Sequence, residues 1–348
     1  MRDPPCLRAS LIAVAVALVA EGCTGGVTHG SAPTRNQSSA TSPASPSSTP
    51  EASVPNPFTI VARYSAEALG LTNDIGIAVG PDGNVYVTDG LPGSPRQRVN
   101  VISPEGKVLR RWGKRGSGQG EFDFITSTGD PTDAGMSVAI DRDGLVYVSD
   151  SGNTRIEVFT PQGWFLRQLG SRGEHGPHKF LGVGGLAVDA SANLYVEDGG
   201  RHTISKFSPR GKFLWRIGGP ESPDPDLHTV EYLATVDVHG RMVLPNDEGR
   251  IVYVDGHGRK VDAFGSRDDF PGGLCSVTVD GFGYVYADSC GPNPADTRVF
   301  DRDHTLVGEW SGPSDPLRSS PLFAPNGDAF ALGWDGSLLR LKVVLPGA

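Results

Sequence analysis

The stretch Val138-Ala139-Ile140-Asp141-Arg142-Asp143-Gly144-Leu145-Val146-Tyr147-Val148-Ser149-Asp150 decides the fold of this 348-residue chain. Two short apolar runs flank an Asp-x-x-Gly turn, and this composition indicates a β-hairpin because glycine accepts positive φ. A second hairpin follows, from Arg155-Ile156-Glu157-Val158-Phe159 through Pro161-Gln162-Gly163 to a strand that ends at Leu169-Gly170. A four-stranded unit that recurs roughly every 40–60 residues is typical of a propeller blade.

The same pattern occurs six times along the chain. The first hairpins of the copies span residues 79–87, 138–150, 188–196, 236–244, 279–286 and 323–331. The third strands open at Arg98, Arg155, Thr203, Arg250 and Arg298 in the first five copies. The fourth strands of these copies end at Trp112, Leu169, Ile217, Phe264 and Trp310.

The sixth copy ends at Lys342-Val343-Val344 without a fourth strand, whereas an unassigned strand, Phe58-Thr59-Ile60-Val61-Ala62-Arg63-Tyr64, precedes the first copy. Pairing residues 58–65 as the outer strand of the last blade would close the ring and remove an unpaired sheet edge. We therefore predict an all-β fold, a six-bladed β-propeller of four-stranded blades that occupies residues 58–345 as one domain.

The N-terminal part of the chain predicts export. Residues 1–22 resemble a lipoprotein-type signal peptide, in which Arg2 and Arg8 flank the n-region and residues 11–20 form an apolar run too short to span a bilayer. The lipobox-like Val19-Ala20-Glu21-Gly22-Cys23 implies lipidation of Cys23, although Glu21 stands where such motifs prefer a small residue.

Residues 24–57 are dominated by Ser, Thr, Pro, Ala and Gly, a composition that buries too little apolar surface to fold. We expect residues 23–57 to be a lipidated cysteine followed by a disordered tether. The protein is then an extracytoplasmic lipoprotein attached to the cell membrane, or a secreted protein if the lipobox is not used.

Two further cysteines lie in the predicted fifth blade. Cys275 begins one strand, Cys290 ends the next, and the turn Gly281-Phe282-Gly283 lies midway between them. An antiparallel hairpin would place the two cysteines opposite each other, which predicts a disulfide in an oxidising compartment. Two buried free thiols are the alternative.

The chain has a formal net charge of −9. Such a balance favours solubility and argues against nucleic acid or an anionic membrane as the main partner. We therefore expect no nucleic-acid partner, and contact with a membrane through the lipid anchor only.

Ligands of a propeller bind where the loops from fourth to first strands and from second to third strands meet at one rim. An Asp recurs on that rim near the end of the second strand, as Asp89, Asp150, Asp198, Asp247 and Asp288. A ring of carboxylates could hold a cation such as Ca²⁺. Alternatively, each Asp caps loop amides or pairs with the Arg of the third strand, which would make it a structural residue.

Aromatic and histidine side chains are the other candidates at the rim. The aromatic residues are Phe122, Phe180, Tyr232, Phe270 and Trp334. They either line a surface for a protein, peptide or glycan ligand or plug the central channel and cover the tops of the blades. His175, His178 and His228 are weak candidates for ligands of Zn²⁺, and no other cofactor is predicted.

Blade 2 resembles the NHL repeat in Val148-Ser149-Asp150-Ser151-Gly152-Asn153-Thr154-Arg155-Ile156-Glu157-Val158-Phe159 and in the preceding Gly116-Ser117-Gly118-Gln119-Gly120-Glu121-Phe122. The resemblance covers nearly all of residues 58–345 and is strongest in blades 1 to 3. Among NHL relatives, peptidyl-amidoglycolate lyases bind zinc through His at the start of blades, where this chain has Gly135-Met136-Ser137 and Gly184-Gly185-Leu186. No local spacing matches the catalytic residues of lactonase-like hydrolases or streptogramin lyases.

The predicted anchor and tether, together with an intact fold that lacks a recognisable catalytic set, favour a membrane-anchored, extracytoplasmic NHL-type propeller that binds a ligand or partner at its loop-rich rim. A metal-dependent lyase or hydrolase of the six-bladed class is the alternative, favoured if the rim histidines and carboxylates converge. A purely structural envelope protein is the third hypothesis, favoured by a featureless rim.

Overall fold

The computed structural model describes residues 54–72, 74–90, 94–124, 137–230, 235–270, 273–289, 296–310 and 317–345. Within these residues the chain is almost entirely β, apart from helix α1 (Ala66–Leu69) and a 3₁₀ helix (Pro225–Leu227). No helix in this part of the chain is long and apolar enough to cross a membrane. The predicted signal peptide, Cys23, the tether up to residue 53, Tyr232 and Cys290 lie outside the described residues.

The first strand of the fold, β1 (Phe58–Tyr64), belongs to the sheet of blade 6, whereas blades 1 to 3 follow it along the chain. Each of these blades is a four-stranded antiparallel sheet whose strands keep their chain order. Blade 1 contains β2 (Asp74–Val79), β3 (Val85–Asp89), β4 (Arg98–Ile102) and β5 (Val108–Trp112). Blade 2 contains β6 (Val138–Ile140), β7 (Val146–Asp150), β8 (Arg155–Phe159) and β9 (Phe165–Leu169). A short parallel pair, β10 (Ser171–Arg172) and β11 (Lys179–Phe180), precedes blade 3, which contains β12 (Val183–Val188), β13 (Leu194–Asp198), β14 (Thr203–Phe207) and β15 (Phe213–Gly218).

Blades 4 and 5 repeat this arrangement, and blade 6 supplies three strands of its own. Blade 4 contains β16 (Thr235–Val236), β17 (Met242–Pro245), β18 (Ile251–Val254) and β19 (Lys260–Phe264). Blade 5 contains β20 (Leu274–Val279), β21 (Val285–Ser289), β22 (Thr297–Phe300) and β23 (Leu306–Trp310). Blade 6 contains β24 (Leu322–Phe323), β25 (Ala329–Leu332) and β26 (Leu338–Val343).

The N-terminal strand completes blade 6, as the sequence predicts. Strand β1 pairs antiparallel with β26, from Phe58 opposite Val343 to Tyr64 opposite Leu338. The first strands of blades 1 to 5 lie against one another in turn, and β24 contacts β2. Blade 5 packs on blade 6 through Tyr286 and Phe323, so the six blades form a closed ring. The predicted six-bladed propeller and its closure are therefore confirmed.

The blades are held together by apolar side chains buried between neighbouring sheets. All five residues of β3 and of β7 are buried, because the second strand of a blade is covered on both faces. The outer strands β5 and β9 instead alternate between half-buried and exposed residues. Burying one large apolar side chain contributes about 1.5–3 kcal/mol, so these inter-blade layers are the main source of stability.

In blades 2 to 5 the turn between the first and second strands is fixed by an Asp. In blade 2 the carboxylate of Asp141 accepts hydrogen bonds from two backbone amides of its own turn and from the Tyr147 hydroxyl, at 3.1 Å. Burial beside this carboxylate raises the pKa of Tyr147 to about 12, so the hydroxyl remains a donor at physiological pH. The same Tyr-to-Asp hydrogen bond joins Tyr195 to Asp189 and Tyr286 to Asp280.

Candidate functional site

The two faces of the propeller differ in how the chain connects its strands. On one face, which we call the turn face, short turns of similar length join the first and second strands of every blade and the third and fourth strands of blades 1 to 5. On the other face, the loop-rich rim, the connections between blades are longer and include segments 113–124, 170–182 and 219–230. Function in propellers and other rigid scaffolds concentrates on such loops, so the rim is the candidate site.

In blade 2 the recurring Asp is part of a buried ion pair. The Asp150 carboxylate accepts from Arg155 Nε at 2.7 Å, from Asn153 Nδ2 at 2.8 Å and from the Asp123 backbone amide at 2.7 Å. The guanidinium of Arg155 also donates to the backbone oxygens of Ser117, Gly118 and Glu121 at 2.8–3.0 Å. The pair therefore fastens the blade 2 sheet to the loop that arrives from blade 1.

Blades 1 and 3 use the same device. Asp89 accepts from Arg98 Nε at 3.1 Å and from the backbone amide and hydroxyl of Thr72. Asp198 accepts from the backbone amides of Leu181 and Gly182 and pairs with Arg201. The sequence pattern does not indicate Arg201, because this residue lies in the loop before β14. Strand β14 itself begins with Thr203, where the third strands of blades 1 and 2 begin with an Arg.

The two remaining candidates do not occupy the same position. In blade 4 the equivalent residue is Asn246, whose side-chain oxygen accepts from the backbone amides of Glu248 and Arg250, whereas Asp247 is exposed. In blade 5 the equivalent residue is Ser289, because Asp288 lies one residue earlier, opposite Ser276 of the first strand. The five acids therefore do not occupy equivalent positions, and those of blades 1 to 3 cap loop amides and pair with an Arg, which is the structural alternative to a cation site.

Hydroxyl groups of described residues surround the carboxylate of Asp288. Its carboxylate accepts from the hydroxyls of Ser276, Ser320 and Thr297 at 2.6–2.8 Å. Complete burial raises the pKa of Asp288, and only hydrogen bonds from these three hydroxyls oppose the rise. Ser320 precedes the first strand of blade 6, so this cluster joins blades 5 and 6 just below the rim.

The residue before the recurring Asp has a role of its own. In blades 1 and 2 it is Thr88 and Ser149, whose hydroxyls accept from the backbone amides of Gly76 and Ser137 at the start of the first strand. In blade 3 it is Glu197, whose carboxylate accepts from the Gly185 amide at 2.8 Å. The sequence shows that this position is polar. That the side chain accepts from the first strand depends on how the first and second strands are paired, which the sequence does not show.

Three of the predicted rim aromatics are core residues. Phe122 and Phe180 are fully buried and Phe270 nearly so, each packed between two blades against Phe159, Phe207 and Phe300 respectively. They fold under the rim because the fourth strand ends in a glycine with positive φ. A Cβ at Gly113 or Gly170 would lie within 2.4 Å of the Phe122 or Phe180 ring. These three side chains are therefore not available to a ligand at the surface.

Trp334 is the predicted rim aromatic that remains accessible. Its side chain is 58% exposed, at the tip of the turn between β25 and β26, closed by a hydrogen bond from the Gly336 amide to the Gly333 oxygen. The neighbouring Asp335 holds the turn by accepting from the Ser337 hydroxyl and from Arg63 at 2.7 Å. The loop-rich rim thus presents one rigidly mounted indole among its described residues.

The histidine candidates are not brought together in the structure. His178 Nε2 is 2.8 Å from the Gly211 oxygen, and its ring lies against Phe207. His228 Nε2 is 2.8 Å from the Ser222 oxygen, and His175 is almost fully exposed. The described part of the chain contains no group of three or more His, Cys, Asp or Glu side chains placed to hold a metal ion.

One more buried acid lies under the rim of blade 2. Glu157 is fully buried beside Arg155, at 3.3 Å, and accepts from the Gly120 backbone amide at 3.1 Å. Burial raises the pKa of Glu157 to about 7, although the Arg155 charge acts in the opposite direction. Glu157 thus helps to hold the 113–124 loop on blade 2, through the Gly120 amide and Arg155.

Cys275 lies at the irregularity in the pairing of β20 with β21, beside Leu274, which faces Ser289. Cys275 is disulfide-bonded, and its partner lies outside the described residues. The pairing with Cys290 stays a prediction, which is consistent with the position of Cys290 directly after Ser289.

Comparison with known proteins identifies the fold. No protein family and no curated protein matches the chain by sequence. A streptogramin B lyase structure is similar with a TM-score of 0.54 at 11% identity, over 82% of this chain and 98% of that one. Virginiamycin B lyase from Staphylococcus aureus gives 0.54 at 11% identity, over 82% and 100%. Its catalytically inactive variant with quinupristin gives 0.53 at 13% identity, over the same shares. At these identities the likeness shows a six-bladed propeller fold and no more.

Proposed function

We propose that this protein is an extracytoplasmic NHL-type propeller, anchored to the cell membrane through Cys23, that binds a protein, peptide or glycan at its loop-rich rim. The difference between the two faces of the propeller carries this proposal. The turn face repeats one kind of short turn, whereas the rim contains longer loops that differ in length and sequence from blade to blade. Loops that the fold does not need are where binding residues are usually placed.

The rim also offers the chemistry that such a ligand needs. The recurring acids of blades 1 to 3 and three of the aromatics hold the loops in place, which gives a rigid platform. Trp334 lies on the same rim, in the turn between β25 and β26 of blade 6, as an exposed aromatic anchor. An indole gives large contact area at low entropic cost and stacks on sugar rings and on peptide side chains.

Binding is tested with arrays of peptides and glycans, followed by titration of each hit with the purified protein. Trp334→Ala is expected to weaken the binding of a rim ligand about thirtyfold or more, since removal of an aromatic anchor typically costs about 2 kcal/mol or more. The matched control is Trp164→Ala, because Trp164 is also exposed but lies on the turn face. Equal affinity of the two variants for every hit would contradict binding at the rim.

A metal-dependent lyase or hydrolase is the second candidate. It is supported by the likeness in fold to streptogramin B lyases, which extends over nearly their whole length. Incubation of the protein with quinupristin in the presence of Mg²⁺, Zn²⁺ or Ca²⁺, followed by mass spectrometry, tests this activity. Cleavage that depends on an added metal would replace the binding proposal with the enzymatic one.

A further inference from the structure

One guanidinium group under the rim of blade 3 lacks an acceptor for part of its charge. Arg216 lies in β15 opposite Ser205 of β14, and its Nε donates to the Ser205 hydroxyl at 2.8 Å. The Nη2 atom of Arg216 is buried and has no hydrogen-bond partner among the described residues. A buried donor without a partner is costly, and more so when it is charged, so this atom points to an acceptor from outside the chain.

A second buried donor belongs to the same face of blade 3. Thr203 is 7% exposed, and its hydroxyl also has no partner among the residues that the structure describes. Because side chains alternate along a strand, Thr203 and Ser205 project from the same face of β14. Thr203 is therefore the diagonal neighbour of Arg216, within reach of a long side chain. The residue opposite Thr203 is Gly218, which has no side chain to separate the two donors.

The equivalent arginine of blade 1 has an acceptor at this position. Arg111 lies opposite Asn100 and donates from Nε to the Asn100 side-chain oxygen at 2.9 Å. The Nη2 atom of Arg111 donates to the carbonyl of Leu69, the last residue of helix α1. Blades 1 and 3 thus present the same guanidinium atom, and only in blade 1 does a described carbonyl accept from it.

The loop that reaches blade 3 is held by a different arginine. Arg201 donates to three backbone oxygens of the 170–182 loop and pairs with Asp198. Arg201 therefore does the work of the arginine that begins the third strand in blade 2, while Arg216 contributes no described hydrogen bond to the loop. The Nη2 atom of Arg216 is left for another acceptor.

The charges that act on Arg216 do not balance. Burial lowers the pKa of Arg216, the Arg201 charge acts in the same direction, and the Asp198 charge opposes them. Asp198 is itself paired with Arg201. Two guanidinium groups thus share one carboxylate, whereas in blade 2 two carboxylates surround the single Arg155. One positive charge in excess favours an anion over a water molecule as the acceptor, because the attraction is strong where water is excluded.

The position of the two donors also limits the size of the ligand. Both Arg216 Nη2 and the Thr203 hydroxyl oxygen are buried, so a charged group on a peptide or glycan at the rim surface does not reach them. A monatomic anion accepts from both donors without further contacts. We propose that Arg216 and Thr203 bind a small inorganic anion, chloride in ordinary buffers, which takes the role that the Leu69 carbonyl has in blade 1. This site lies under the rim and does not depend on the proposed function.

Thermal unfolding of the purified protein in sodium chloride and in sodium gluconate, at equal ionic strength, tests the proposal. Gluconate is too large for the site, and equal ionic strength removes general screening from the comparison. We expect the melting temperature to rise by about 2–4 °C with chloride and then to saturate, since a ligand that binds only the folded state stabilises it. Sodium bromide should act as chloride does.

Variants assign the effect to the site. Arg216→Gln should abolish the dependence on chloride. Thr203→Val, which keeps the shape and removes the hydroxyl, should raise the chloride concentration for half-maximal effect about fivefold. The matched control is Arg111→Gln, which should keep the full chloride effect because the acceptor of Arg111 is a backbone carbonyl. The comparison is made within each variant, so a variant of lower stability still gives the answer.

Three results would overturn the proposal. Equal melting temperatures of the wild type in chloride and gluconate would identify water as the acceptor. A chloride effect that persists in Arg216→Gln, or that disappears equally in Arg111→Gln, would place the anion elsewhere. A crystal grown in sodium bromide locates the ion directly. We expect an anomalous scattering peak beside Arg216 Nη2 and the Thr203 hydroxyl, and peaks at other positions only would contradict the assignment.

Discussion

Blades 2 and 5 contain almost the same second strand and use its acid in opposite ways. Strand β7 reads Val146-Tyr147-Val148-Ser149-Asp150 and strand β21 reads Val285-Tyr286-Ala287-Asp288-Ser289. In blade 2 the acid is the fifth residue and pairs with Arg155. In blade 5 it is the fourth residue and accepts only from hydroxyls. Since side chains alternate along a strand, a shift of one residue moves the carboxylate to the other face of the sheet.

The arginine of blade 5 is displaced as well. Arg298 lies opposite Ala287, which corresponds to Glu157 opposite Val148 in blade 2, and it pairs with Glu309 at 3.2 Å. Thus blade 5 keeps the pattern of the second strand but lacks the Asp–Arg ion pair of blade 2. The comparison shows that the Asp–Arg pair is one of several ways to fasten a loop to a blade.

The largest effect that tests this comparison is expected for Arg155→Met. The substitution leaves Asp150 and Glu157 buried without their cation and frees three loop carbonyls, so the free energy of unfolding should fall by about 3–5 kcal/mol. Urea unfolding at pH 7 measures the change. The matched control, Arg298→Met, should cost about 1 kcal/mol or less, because its partner Glu309 is partly exposed. Equal losses would show that the two arginines are equivalent.

A second prediction concerns Asp288, whose pKa burial raises above its ordinary value of 3.8. Between that value and the raised one, the folded protein holds a proton that the unfolded chain releases. The free energy of unfolding therefore falls by about 1.4 kcal/mol for each pH unit in this window. Asp288→Asn removes the penalty, because an amide is neutral and serine hydroxyls can both donate and accept.

Urea unfolding of wild type and Asp288→Asn at pH 4, 5, 6 and 7 measures this effect. The variant should gain on the wild type as the pH rises. Asp150→Asn is the matched comparison, and it should be destabilising at pH 7 because it removes the carboxylate that lies 2.7 Å from the buried Arg155 Nε. A loss of stability in Asp288→Asn that grows with pH would show that Asp288 is ionised in the fold.

A smaller effect of the same sign is expected for Glu157, whose pKa burial raises from 4.5 to about 7. The folded state binds the proton more tightly, so stability declines as the pH rises from about 4.5 to about 7. Glu157→Gln should flatten this part of the pH profile. The effect is smaller than for Asp288 because the Arg155 guanidinium, at 3.3 Å, partly compensates the carboxylate. An unchanged profile would place the titration elsewhere.

The sequence predicted the strands well because each blade repeats a local pattern of apolar runs and turn residues. The closure of blade 6 by residues 58–64 followed from counting strands. The candidate site was predicted less well. The sequence pattern indicates Asp247 where Asn246 holds the position, and Phe122, Phe180 and Phe270 are buried rather than exposed. Arg201 was missed, although an Arg three residues after the recurring Asp could have indicated it.

By itself, the sequence determined the number of blades, the order of their strands and the way the ring closes, because these depend on local turns and apolar periodicity. Only the tertiary structure decided which side chains face a neighbouring blade and which face solvent. Arg155, for example, binds carbonyls of residues 117–121, which a separate loop brings to it. Such contacts depend on strand register and on the path of loops between blades, and a one-residue shift, as at Asp288, reverses them.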